Sequence, residues 1–190
     1  MNYKRPSKVQ ATVLPLILPP KTMNLICQSQ TGTGKTAAFS IAMIMCVDPS
    51  ISSTQALCLS PTRELARQIV GHTQQISQFM GEVETSLAVP GTLARHTSIA
   101  AHIVVGTPGT VLDALRRGKI NTAQIKLLVM DEADFLLDLQ GLGDQAMRVK
   151  RVLPPNIQVL LFSATFTQKV FPRQEYAGVS THRINCFTRS

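Results

Sequence analysis

Eight residues near the start of the chain restrict its fold more than any other stretch. Ser29-Gln30-Thr31-Gly32-Thr33-Gly34-Lys35-Thr36 follows an apolar strand candidate, Asn24 to Gln28, and precedes a helix candidate, Ala37 to Val47. In such a loop Gly32 and Gly34 let the backbone curl, so that successive N–H groups point inward at phosphate oxygens. Lys35 then reaches the β- and γ-phosphates, and the Thr36 hydroxyl ligates Mg²⁺. Ser29 stands where the strict pattern begins with glycine, so the strand before and the helix after carry the reading. A second stretch supplies the opposite kind of group. Asp131-Glu132-Ala133-Asp134 ends the apolar run Ile125 to Met130, where Asp131 is placed as a metal-binding carboxylate and Glu132 as a group that orients an attacking water. Alone, such an acidic cluster is more often a solvated helix start. Behind a buried strand, in a chain that already has a phosphate loop, it implies a site for ATP or ADP with Mg²⁺.

The rest of the chain alternates strands and helices. Six β-like runs are Met23 to Gln28, Gln55 to Ser60, Thr85 to Val89, His102 to Gly106, Ile125 to Met130 and Gln158 to Ser163. Several are apolar without alternation, the pattern of strands buried on both faces. Helical stretches lie at Ser7 to Leu18, Lys35 to Val47, Arg63 to Met80, Pro108 to Arg117 and Gly141 to Leu153. The expectation is an α/β domain with a doubly wound, mainly parallel sheet, helices on both faces, and ligands at the carboxyl ends of the strands.

Two further strand ends carry helix caps. Pro61-Thr62-Arg63 places Thr62 as a cap with Arg63 beside it, and Thr107-Pro108-Gly109 repeats the arrangement with Thr107. Ordinary capping explains either alone. As a pair beside an ATP site, both are candidate holders of a nucleic-acid phosphate, because helix N-termini bind anions.

Composition narrows the partners. With 19 Lys+Arg against 11 Asp+Glu the net charge is +8, which favours a polyanion. Aromatics are only 5% with no Trp, so a single strand read by base stacking is disfavoured and the sugar-phosphate backbone is the expected target. Apolar stretches such as Ile41 to Val47 are too short to span a bilayer, so no membrane insertion is expected. Cys27, Cys46, Cys58 and Cys186 lack pairing or metal spacing and read as reduced residues of an intracellular protein, and the histidines are as scattered, so no zinc is expected.

The chain resembles the first RecA-like domain of the DEAD-box RNA helicases over about residues 3 to 167. Six elements stand in the family's order: Pro6-Ser7-Lys8-Val9-Gln10, Ser29 to Thr36, Pro61 to Ala66, Thr107-Pro108-Gly109, Asp131 to Asp134 and Ser163-Ala164-Thr165. Within the family it is most similar to the nuclear-pore mRNA-export subgroup, through Pro6-Ser7-Lys8, Val105 to Asp113 with Thr110 where most members have Arg, Val89-Pro90-Gly91 in place of a Gly-Gly pair, and Gln140 to Arg151. The resemblance implies that Gln10 recognises the adenine edge, that Ser29, Thr31, Gly32, Thr33, Gly34 and Lys35 hold the phosphates, and that Thr36 and Asp131 hold Mg²⁺. Glu132 would act on the water, while Asp134, Ser163 and Thr165 couple the ATP site to RNA. Pro61, Thr62, Arg63, Thr107 and Gly109 would contact the single-stranded RNA backbone. A nucleoporin is an implied partner, and a monomer in the cytoplasm or nucleus, at the nuclear pore, the implied setting.

The departures shape the expected activity. The family's upstream adenine-stacking aromatic and its second RecA-like domain are not among these residues, and the pattern decays beyond Phe166, where Pro172 interrupts an expected helix, so residues 168 to 190 read as a divergent tail. An arginine finger is worth about 10³ to 10⁵ in phosphoryl transfer. Residues 1 to 190 are therefore expected to be an ATP-binding helicase domain with weak hydrolysis of its own. The rival expectation is a non-catalytic module that holds nucleotide and docks RNA or a nucleoporin. A phosphate-loop kinase is disfavoured, because it would not explain Ser163-Ala164-Thr165.

Overall fold

Runs such as Ile103-Val104-Val105 and Leu127-Leu128-Val129-Met130 are apolar at every position because both faces of their strands are covered. The computed structural model describes residues 5–80, 82–92, 98–138, 141–165 and 182–186. Among them β1 (Leu25–Gln28), β2 (Ala56–Leu59), β3 (Thr85–Ala88), β4 (Ile103–Gly106), β5 (Leu127–Met130), β6 (Gln158–Ser163) and β7 (His182–Asn185) form one sheet in the order β3-β4-β2-β5-β6-β1-β7. Every pairing is parallel. Helices α1 (Lys8–Ile17), α2 (Lys35–Cys46), α3 (Arg63–Ser77), α4 (Pro108–Arg116), α5 (Ala133–Asp138) and α6 (Leu142–Val152) complete the layers.

Period-two alternation divides the strand residues between two cores. Cys27, Cys58, Val105, Val129 and Phe162 pack with Val13, Phe39, Met43 and Ile69 of α1, α2 and α3. Leu57, Val104, Leu128 and Val159 pack with Val111, Leu136 and Val149 of α4, α5 and α6. The rings of Phe39 and Phe162 lie 5.2 Å apart at a tilt of 54°, anchoring α2 to β6.

All six expected strands form, five of them with trimmed ends and Gln158–Ser163 over its full expected length. Gln55 and Ser60 are fully buried but flank β2, and the Gln55 carbonyl accepts from the Lys126 and Leu127 amides instead of a regular ladder. α3 stops at Ser77 rather than Met80. Two elements were not expected. α5 is only six residues long and begins inside the acidic stretch. β7 has no apolar run to announce it, yet it pairs with β1, and the buried Cys186 just after it donates its amide to the Gln28 carbonyl at 2.8 Å. The rest of the stretch read as a divergent tail, with Phe166, Pro172 and Gln140, lies outside the described residues. No helix among the described residues is long and apolar enough to cross a membrane. All four cysteines are free, and burial pushes the Cys46 thiol up to about 12.

Gly106 ends β4 opposite Ala88 of β3. A Cβ there would overlap the Ala88 carbonyl, a backbone atom that cannot swing aside. Gly106→Ala is therefore expected to destabilise the domain by about 1–3 kcal/mol, seen as a lower urea midpoint with an unchanged slope.

Candidate nucleotide site and the rim beside it

Because the sheet is parallel, every strand points its carboxyl end at one rim. The loop after β1, the acids after β5 and the Ser163-Ala164-Thr165 turn after β6 therefore meet there. β1 lies beside β6, with Gln28 opposite Ser163, and the Ser29 amide donates to the Ser163 carbonyl at 3.0 Å. Together with α3 they enclose a cleft of about 450 Å³, lined by Thr31, Gly32, Gly34, Lys35, Thr36, Asp131, Glu132, Asp134 and Ala164 among others.

Inside the loop, Ser29 and Thr33 share a hydroxyl hydrogen bond of 3.0 Å, and Thr33 Oγ1 donates to the Gln30 carbonyl at 2.8 Å. Lys35 Nζ donates to the Ser29 and Gln30 carbonyls at 2.5 and 3.3 Å, so the ammonium is already held over the loop. Gly34 has φ +92, and a Cβ there would stand 2.6 Å from Gln10 Nε2. Glycine is required at 34 on both counts.

Gln10 is buried and works as a bracket. Its Oε1 accepts from the Ser7 amide at 2.9 Å within a capping box that starts α1, and its Nε2 donates to the Gly34 carbonyl at 3.3 Å. A carboxamide has two donors and two acceptor lone pairs. One of each is left over, the set that an adenine N6/N7 edge needs.

The acids sit in contrasting surroundings. Asp131 is buried, and desolvation above all, with the neighbouring charges of Glu132 and Asp134, raises its carboxyl to about 6. Glu132 is half-buried and also raised, first by desolvation and then by Asp134. Its φ of +48 is a left-handed conformation that costs a non-glycine residue energy. Asp134 Oδ2 accepts from the Thr165 amide at 3.1 Å and the Thr165 hydroxyl at 2.6 Å, and Ser163 Oγ donates to the Thr165 carbonyl at 2.6 Å. The other oxygen, Asp134 Oδ1, is buried without a hydrogen-bond partner. Thr36 and Asp131 offer hard oxygen donors, and one carboxylate plus a hydroxyl beside a phosphate cradle fits Mg²⁺, which takes its remaining ligands from phosphates and water.

The capped strand ends lie on the same rim, after β2 and β4. Thr62 Oγ1 accepts from the Leu65 amide at 3.2 Å and caps α3 as expected. Arg63 is exposed and takes part in neither ion pair found among the described residues. Thr107 stands at the expected cap position of α4 but does not cap it with its side chain. Its hydroxyl donates to Thr110 Oγ1 at 3.3 Å instead, which corrects the capping expected there. Pro108 occupies the first helical position and Gly109 the second.

The cleft also contains residues that the motifs did not single out. Leu65, Gln68, Ile69 and His72 of α3 and the exposed Phe135 of α5 complete its wall. Their spacing, 65, 68, 69 and 72, marks one helix face, but nothing in the sequence says what that face meets. Desolvation lowers the His72 pKa, favouring the neutral imidazole.

A phosphate loop ending one parallel strand, facing an acid pair that ends another, defines a nucleotide-binding α/β domain of the RecA-like kind. The chain belongs to the DEAD/DEAH box helicase family, whose model matches residues 7–171. It is 53% identical over 170 residues to the ATP-dependent RNA helicase DBP5 of Kluyveromyces lactis, covering 90% of this chain and 36% of that protein. With DBP5 of Phaeosphaeria nodorum it shares 51% identity over 188 residues, 99% of this chain and 39% of the relative. The chain thus spans somewhat over a third of the length of these relatives. Among solved structures it is similar to S. cerevisiae Dbp5 bound to RNA and ADP BeF3, with TM-score 0.92 and 46% identity over 96% of this chain and 46% of that one. A DEAD box protein from Methanococcus jannaschii gives TM-score 0.80 at 31% identity, covering 96% of this chain and 50% of that one.

Asp131 gives the site a pH signature. A carboxyl raised by burial stabilises the fold while protonated, so that contribution is complete below its ordinary range and is lost as pH rises through about 6. In Mg²⁺-free buffer Asp131→Asn is expected to raise unfolding stability near neutral pH by about 2 kcal/mol. The gain should shrink below about pH 5. Urea unfolding at the two pH values checks it.

Proposed function

We propose that this chain is the nucleotide-binding half of an ATP-dependent RNA helicase of the mRNA-export kind, coupling hydrolysis of ATP to ADP and phosphate to its grip on single-stranded RNA. The observation that carries the reading is the linkage across β1, β5 and β6. Ser29 of the phosphate loop is tied to Ser163, Ser163 to Thr165, and Thr165 to Asp134 of the acidic stretch. A change in charge at the phosphates is passed to Asp134 through three hydrogen-bonded links that join four residues.

In this reading Lys35 exchanges its loop carbonyls for phosphate oxygens, and the amides of the loop from Thr31 to Lys35 surround them. Gln10 presents its spare donor and acceptor to adenine, while its other two bonds keep the loop in place. Mg²⁺ held by Thr36 and Asp131 would neutralise charge on the phosphates. Glu132, which lines the cleft from a left-handed backbone position, would orient water for in-line attack. Pro61, Thr62, Arg63, Thr107 and Gly109 hold the RNA backbone at the adjoining strand ends. A point variant of S. cerevisiae Dbp5 has been solved bound to nup159, ip6, adp and a point variant of gle1. A nucleoporin partner and work at the nuclear pore, on its cytoplasmic or nuclear side, follow by likeness to that protein.

Lys35→Ala is expected to weaken ADP and ATP binding strongly, whereas Glu132→Gln should bind as the parent does and lose its turnover. The first residue holds ground-state charge and the second acts only during reaction. Calorimetry and phosphate release separate the two, and hydrolysis by Glu132→Gln at the parent rate would overturn the role of Glu132. Assayed by themselves, residues 1–190 should turn over ATP slowly, because the arginine finger that the family resemblance assigns to a second domain contributes about 10³ to 10⁵. RNA affinity should fall steeply with salt and show little base preference, as backbone contacts dictate. Filter binding across a salt series checks this, and salt-independent or base-specific binding would refute it.

A further inference from the structure

Gly109 has an ordinary backbone conformation, so the conformational freedom of glycine does not explain its presence. Space does. A Cβ built on Gly109 would lie 2.9 Å from Oε1 of Gln145, in the first turn of α6. Gln145 is half-buried, and among the described residues its carboxamide has no hydrogen-bond partner. It lies over a helix start that is itself short of partners, since Thr107 provides no side-chain cap to α4 and Pro108 has no N–H. An unpaired carboxamide beside uncapped amides, on the rim that carries Arg63, is a polar cluster in need of acceptors.

We propose that Gln145 is a further contact to the RNA sugar-phosphate backbone, and that glycine stands at 109 to leave room for it. The proposal rests on the reading of this rim as the RNA interface. A carboxamide donates to a phosphate oxygen and accepts from a 2′-hydroxyl, and it reads no base while doing either. One consequence separates Gly109 from Gly106. The atom that a Cβ at 109 meets is the far end of a flexible side chain, so Gly109→Ala displaces the Gln145 carboxamide at little cost to the fold, whereas Gly106→Ala meets backbone.

The test measures fluorescence anisotropy of a labelled oligouridylate on the 190-residue chain at low salt. Gln145→Glu keeps the shape of the side chain but sets a negative charge against phosphate, and is expected to bind about tenfold more weakly. Gly109→Ala and Gln145→Ala should each weaken binding, and the double variant should be no worse than the weaker single one, because both remove the same contact. ADP affinity and melting temperature should stay at the parent values. RNA binding by Gln145→Glu at the parent level, or additive losses in the double variant, would overturn the proposal. Arg63→Ala distinguishes the two levels of failure. If it weakens RNA binding while the Gln145 variants do not, only the Gln145 contact falls; if none of the variants matters, or the parent binds no RNA, the interface reading falls with it. Should Gln145→Glu melt early, the Gly109 and Gln145 alanine pair still decides.

Discussion

The parallel pairing of β1 with β6 is the contact on which the rest of the site depends. It sets the first strand of the chain beside a strand more than a hundred residues later, in the register Gln28 to Ser163. From that register the Ser29 amide reaches the Ser163 carbonyl, and the phosphate loop and the Ser163-Ala164-Thr165 turn become one hydrogen-bonded unit. With β5 next to β6, the acids complete the cleft. Were β1 displaced to another edge, the same motifs would be present without a common site.

Within that frame, the local costs are concentrated around the cleft. Asp131 is a carboxyl in a desolvated position, Glu132 has a left-handed backbone without being glycine, and Asp134 leaves one buried oxygen unpaired. Each would be selected against in a chain built only for stability. Their clustering around one cleft is what a functional site looks like when strain and desolvation are tolerated because the surrounding core holds them in place. Two apolar cores, one on each face of the sheet, provide that support.

The rim next to the cleft uses a different economy. Thr62 caps its helix and leaves Arg63 exposed, while Thr107 turns to Thr110 and leaves α4 uncapped. Two adjacent strand ends that look alike in sequence therefore present different donors, a guanidinium at one and bare amides at the other. Glycine also has different meanings along this edge: at 106 it lets two strands approach, and at 109 it admits a side chain from α6.

Much of this was legible in the residues themselves. Gly32, Gly34, Lys35 and Thr36 between a strand and a helix, and Asp131 and Glu132 after an apolar run, are local signals, because phosphate binding and metal ligation each need particular atoms at short spacing. Unbroken apolar runs likewise announced several of the strands, since a strand covered on both faces has no reason to alternate. What the sequence did not announce depends on contacts between distant residues. β7 is a strand because β1 offers it a free edge, not because His182 to Asn185 have a pattern of their own. The α3 wall of the cleft, the double duty of Gln10 as cap and loop bracket, and the seat of Gln145 over Gly109 were decided by tertiary packing. Spacing along the chain determines which groups a segment can offer; only the closing of the sheet determines which of them meet.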